Sequence, residues 1–142
     1  MANTFDSMRI SASGLAAERL KVDIIAGNIA NAQNTRGADG QPYRRKVAVF
    51  EENLQREIQN GQVVEKQMGI KAVGIEEDPS PFKKVYNPSH PDADEEGYVS
   101  MPNVNYLNEM ADLMIAVRSF EANLAAMDVN KSMYSKSLEI GR

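Results

Sequence analysis

All six prolines of this 142-residue chain, Pro42, Pro79, Pro81, Pro88, Pro91 and Pro102, fall between positions 42 and 102, and that confinement constrains the fold more than any other feature. Proline lacks a backbone donor and clashes with the preceding turn, so a segment without it is one in which a helix can run unbroken. The last 40 residues are such a segment, with one glycine, Gly141, placed where a C-terminal cap belongs. Asn103 or Asn105 can cap its start, with Glu109 and Asp112 near the positive end of the helix dipole. At the other end of the chain, Asn3 or Thr4 can cap a helix with Asp6 in its first turn. The cluster Asn31, Asn34, Thr35, Gly37 and Gly40 stops it.

Between these helices the residues form shorter words. Residues 44–50, 62–67, 70–76, 82–86 and 97–101 are β-compatible, and Gly61, Gly69, Gly74 and Gly97 punctuate them. The prolines and the acidic run from Asp92 to Glu96 add a long loop. The expected fold is therefore α+β. Long N- and C-terminal helices (1–35 with 103–142) pair as a coiled coil, and a small, mostly antiparallel β unit with a Pro-rich acidic loop (36–102) is inserted between them.

Both helical segments carry a 3.5-residue apolar period, the signature of left-handed coiled-coil packing. From Met8, alternate steps of four and three reach Ala12, Leu15, Arg19, Val22, Ala26 and Ile29. From Tyr106 they reach Met110, Leu113, Val117, Phe120, Leu124, Met127, Lys131, Tyr134 and Leu138. At 1.5 Å per residue these helices run on the order of 40 and 50 Å, while a compact chain of this length has a radius of gyration of only about 14–15 Å. They pair as a hairpin instead of wrapping one core. Apolar residues off the stripes, Ile10, Leu20, Ile24 and Ile25 on one helix and Leu107, Met114, Ile115 and Met133 on the other, leave a face uncovered. Such a face marks an interface. Gly14 and Gly27 lower the intrinsic stability of the first helix by about 1 kcal/mol each relative to alanine, so it is expected to fold fully only on assembly.

The remaining composition excludes most chemistry. With no cysteine and one histidine there is no disulfide, thiolate nucleophile or Cys-type zinc site. A net charge of −4 argues against a nucleic-acid surface. The mean hydropathy is −0.45, no apolar run approaches the roughly 20 residues that span a bilayer, and no cleavable leader is evident. The run Asp92 to Glu96 after His90 lacks the spacing of a calcium loop and reads as a solvated acidic loop. No phosphate-binding glycine pattern or nucleophile elbow is present. Neither an enzyme nor a cofactor is expected.

Residues 13–35, SGLAAERLKVDIIAGNIANAQNT, resemble the N-terminal signature of the axial proteins of the bacterial flagellum, in which Asn-Ile-Ala-Asn precedes a Thr. Residues 41–52, QPYRRKVAVFEE, and 78–105, DPSPFKKVYNPSHPDADEEGYVSMPNVN, are similar to the C-type proximal rod branch of that family. The segment MIAVRSFEANLAAMDVNKSM resembles its closing helix, with Phe120-Glu121 where Tyr-Gln is commoner; in the N-terminal signature Gly27 stands where Ser is frequent. The resemblance implies a structural subunit exported unprocessed through the flagellar type III apparatus. It implies assembly with itself and other rod proteins into the basal-body rod that crosses the periplasm and carries torque to the hook. The assembly interface is then expected at Met8, Leu15, Val22 and Ile29 of the first helix and at Tyr106, Met110, Leu113, Val117, Phe120, Leu124, Met127, Tyr134 and Leu138 of the second, with Asn28 and Asn31 from the signature. The competing reading is a soluble helical adaptor or export-associated module that uses the same stripes to hold a partner reversibly.

Overall fold

A computed structural model describes residues 2–37, 39–59 and 62–140. In chain order the elements are α1 (Ala2–Ala30), β1 (Lys46–Gln59), β2 (Gln62–Glu77), β3 (Lys83–Tyr86), β4 (Tyr98–Met101) and α2 (Tyr106–Ile140). β1 pairs with β2 and β3 with β4, giving two separate two-stranded sheets and an α+β chain. Only two residues separate β1 from β2, which makes that pair an antiparallel hairpin. In the second hairpin Lys83 faces Met101 and Val85 faces Val99.

Several boundaries differ from the sequence expectation. α1 already begins at Ala2, so Asn3 and Thr4 lie inside it. Asn105 does cap α2: its Oδ1 accepts from the backbone N–H of Leu107 (3.1 Å) and of Asn108 (3.3 Å). Gly141 and Gly61 lie outside the described residues. The two β-compatible runs at 62–67 and 70–76 merge into the single 16-residue strand β2. The join is Gly69, at φ +100°. A residue with a Cβ is strained there, and that Cβ would also collide with the Ser13 hydroxyl. The hydroxyl in turn donates to the Ile10 carbonyl (2.7 Å) and accepts from the Ile70 N–H (3.2 Å).

The chain forms two compact units. The first comprises Met1–Leu20, Val49–Gly74 and Ile115–Arg142. In it Ala17, Met68 and Ala116 are buried, Asp6 pairs with Lys66 at 2.5 Å, and Gly14 lies against Asn123, whose Nδ2 is 3.2 Å from where a Cβ would stand. The second unit comprises Lys21–Ala48 and Ile75–Met114. Its buried side chains include Val99, Asn28 and Glu109. Tyr86 and Tyr98 stack edge to face at 5.3 Å across its hairpin.

Fully buried apolar side chains are few: Ala17, Met68, Val99 and Ala116 among the described residues. A chain that is 42% hydrophobic therefore places most of its apolar material at the surface.

Candidate assembly surface

The site begins with a polar knot that holds the end of α1. Asn28, 1% exposed, uses all four of its hydrogen-bonding positions. Its Nδ2 donates to the Lys46 carbonyl (2.9 Å) and to Glu109 Oε2 (3.0 Å). Its Oδ1 accepts from the Lys46 N–H (2.9 Å) and from the Tyr43 hydroxyl (3.0 Å). The amide thus pairs with the backbone of Lys46 as a neighbouring strand would. Glu109, also 1% exposed, accepts from Arg45 Nε at 2.6 Å through its other oxygen. Arg45 extends the cluster to Asp78 (3.5 Å) and Asp112 (3.8 Å). Asn103 Oδ1 accepts the Arg45 N–H at 2.7 Å, while its Nδ2 donates to the Asp78 and Ser80 carbonyls (3.0 and 3.2 Å).

The titrations follow from these contacts. Burial opposes the charge on Arg45 most strongly, but the hydrogen bond and charge of Glu109, with Asp78 and Asp112, together hold its pKa above the ordinary value. Tyr43 is also raised, first by burial and then by the negative charges of Glu109 and Glu77. Its hydroxyl is kept protonated and able to donate to Asn28. Asp78 is lowered, chiefly by hydrogen bonds from Ser80 and further by Arg45.

Along α2 the inward and outward faces separate cleanly. The buried or half-buried residues are Glu109, Leu113, Ala116, Phe120, Asn123, Met127, Asn130 and Tyr134, in steps of four and three, with Ser119 beside them. This is a 3.5-residue seam, but it only half coincides with the expected stripe. Leu113, Phe120, Met127 and Tyr134 belong to both, whereas Tyr106, Met110, Val117, Leu124 and Leu138 are exposed. Polar or small residues, Glu109, Ala116, Asn123 and Asn130, hold the alternate positions. On α1, Met8, Leu15, Val22 and Ile29 are half-buried, while Ala12, Arg19 and Ala26 of the same stripe are exposed.

The two signature asparagines serve the chain's own fold. Asn28 is buried within the second unit, where its amide is held by Lys46, Tyr43 and Glu109. Asn31 donates from Nδ2 to the Gly27 carbonyl at 2.8 Å and so closes the last turn of α1. Glu109 was expected only as a first-turn acid favouring the helix dipole. Its pairing with Arg45 gives no periodic signal, since 64 residues separate the two.

The acidic loop is likewise occupied by its own neighbours. Asp92 accepts from the Thr35 hydroxyl at 2.8 Å and pairs with Arg36 at 3.5 Å, while the Asp92 N–H donates to His90 Nδ1 at 3.1 Å. Asp94 Oδ1 accepts from the N–H groups of Glu96 (3.1 Å) and Tyr98 (2.7 Å). Among the described residues no group of three or more His, Asp or Glu side chains is arranged to hold a metal. Nor, among the described residues, is any helix long and apolar enough to cross a membrane.

Comparison with known proteins identifies the family. Residues 8–38 match the family described as flagella basal body rod protein, and residues 95–140 match the C-terminal region of the FlgEFG flagellar basal body rod proteins. Over its whole length the chain is similar to flagellar basal-body rod proteins FlgC. It is 42% identical to that of Bacillus subtilis strain 168 (97% of this chain, 98% of the relative). It is 41% identical to that of Salmonella typhimurium (99% and 97%) and 38% identical to that of Borreliella burgdorferi (96% of each).

Proposed function

The chain belongs to the flagellar basal-body rod protein family and is a structural component of the proximal rod, and from that premise we propose how it assembles. The terminal helices pair antiparallel as a coiled coil and join neighbouring subunits through the apolar faces that the pairing leaves outside. One contact in each unit supports the pairing: Gly14 lies beside Asn123 in the first, and Asn28 bonds Glu109 in the second.

The observation that carries this reading is the exposure of large apolar side chains along α2, from Leu107 at 77% to Ile140 at 87%. A helix apolar on several sides is one that other helices surround. Residues 1–35 with 103–142 then form the assembly part. Residues 36–102, with the acidic loop, select neighbours. Met8, Leu15, Val22, Ile29, Leu113, Phe120, Met127 and Tyr134 stabilise the pairing, and Tyr106, Met110, Val117, Leu124 and Leu138 face adjoining subunits. Partners are further copies and the other rod proteins, reached by export through the type III apparatus. The finished rod crosses the periplasm and carries torque.

Purified basal bodies test the reading. The wild-type chain is expected in the detergent-resistant basal-body fraction. Leu124→Asp, at an exposed position where folding should tolerate the change, is expected to be synthesised normally yet missing from basal bodies, with motility lost. A wild-type chain found wholly in the soluble fraction, or a motile Leu124→Asp strain, would overturn the assignment of this face and favour a soluble adaptor.

A further inference from the structure

Resting on the rod reading above, we propose that α2 carries both halves of one unlike contact between copies of this chain. The stripe Leu107, Met110, Met114, Val117 and Leu124 of one copy packs in parallel against the stripe Ile115, Ala122, Val129, Met133 and Ile140 of the next. All ten side chains are exposed in the protomer. At about 100° per residue the two stripes lie roughly 120° to either side of the buried seam of α2, so the helix is apolar in three directions. The protomer covers one of them.

The geometry selects the unlike pairing. A two-fold contact of either stripe with itself would leave the other bare, whereas stripe one on stripe two covers both and propagates without closing, as an axial array requires. Charge points the same way. Lys136 borders the second stripe, and a twelve-residue shift sets it opposite Leu124 of the first, between Asp128 and Glu121, the latter already paired with Arg118 of its own chain at 2.8 Å. Unlike packing sets this base against acids. The stripes are also staggered along the helix, the first centred about twelve residues before the second. Mutual coverage therefore shifts neighbouring copies by roughly 18 Å along the axis.

The chain has no cysteine, which makes disulfide trapping free of background. Val117→Cys and Val129→Cys sit one in each stripe at exposed positions, twelve residues apart, matching the stagger. In flagellated cells under mild oxidation, the double variant is expected to give a ladder of cross-linked multimers. Each single variant should stay monomeric, and co-expressed singles should stop at dimers. A second pair, Val117→Cys with Met133→Cys, allows for one turn of axial error. Strong dimers from Val129→Cys alone would show a two-fold contact and overturn the proposal. So would absence of ladders from both pairs while the variants are present in basal bodies, a result that leaves the rod reading standing. Wild-type chain missing from basal bodies would defeat that reading itself, and this inference with it.

Discussion

Replacing Asn28 by alanine tests whether the polar knot holds α1 in place. The substitution removes two donors and an acceptor that takes two hydrogen bonds, leaving the Lys46 N–H and C=O and the Tyr43 hydroxyl without the partner they have now. Glu109 loses the bond to its Oε2 but keeps Arg45 on Oε1. Tyr43 and the Lys46 carbonyl can turn to water at the half-exposed edge, so the lasting penalty falls on the Lys46 N–H and Glu109 Oε2. At about 1–3 kcal/mol for each buried polar group left unpaired, the loss is about 2–6 kcal/mol. That is comparable with the whole stability of a small domain, about 5–15 kcal/mol. α1 has little propensity in reserve, because Gly14 and Gly27 each cost about 1 kcal/mol, so its C-terminal turns should melt first. Urea unfolding of the purified chain, followed by far-ultraviolet circular dichroism, should show a lower midpoint and a weaker native helical signal. Asn28→Asp should be worse than alanine at neutral pH, since it sets a second carboxylate against Glu109, and should regain stability as the pH falls and one carboxyl protonates. A midpoint for Asn28→Ala equivalent to less than about 0.5 kcal/mol below wild type would refute the claim that this amide holds the helix.

Gly69→Ala should destabilise the chain by at least about 2 kcal/mol, combining left-handed backbone strain with a clash against Ser13; Ser13→Ala in the same chain should recover only the clash, as read by thermal unfolding. Tyr43 has a raised pKa, so its contribution is fully present below the ordinary tyrosine value near 10 and is lost as pH climbs through the higher folded value. Stability should fall on the alkaline side, and Tyr43→Phe should flatten that part of the pH–stability curve. Asp78 has a lowered pKa, so the support it draws from Ser80 and Arg45 is present above the ordinary aspartate range and is lost as the pH drops through the lower folded value. Asp78→Asn should remove that acid-side dependence in the same measurement.

The period of the helices was legible in the residues, and the phase of α2 was only half so. Steps of four and three describe its buried seam as well as its expected stripe, and Leu113, Phe120, Met127 and Tyr134 lie on both. The other half moved by one residue because bulk is a poor guide to which side an intrachain partner takes. Opposite α2 the neighbours include Gly14 and the amide of Asn28, which leave room for Asn123 and Glu109 where Leu124 and Met110 were expected. The hairpin of β1 and β2 was harder to read. Its strands run through residues rich in Glu, Gln and Lys, and the positive φ at Gly69 resembles a strand end until Ser13 is brought against it. Arg45 and Glu109 left no trace, since a pair so far apart in sequence has no local pattern.

In the proposed helix pairing, small side chains and the polar knot have different tasks. Gly14 and Ala17 on α1 and Ala116 on α2 let backbones approach closely but give weak knobs, so sliding one helix past the other by a heptad changes little in apolar contact. Asn28 and Glu109 make such a slide costly, because each buried group would lose its partner. A buried polar contact of this kind trades stability for register. For a subunit that exposes so many large apolar residues along α2, register is the property that must not vary in the proposed assembly: a shift of α2 along α1 would displace every outward stripe by the same distance. A heptad slip moves those stripes by about 10 Å, more than half of the roughly 18 Å stagger inferred between copies. In the proposed assembly Asn28 and Glu109 thus fix the alignment within the protomer, and its neighbours supply the apolar contact.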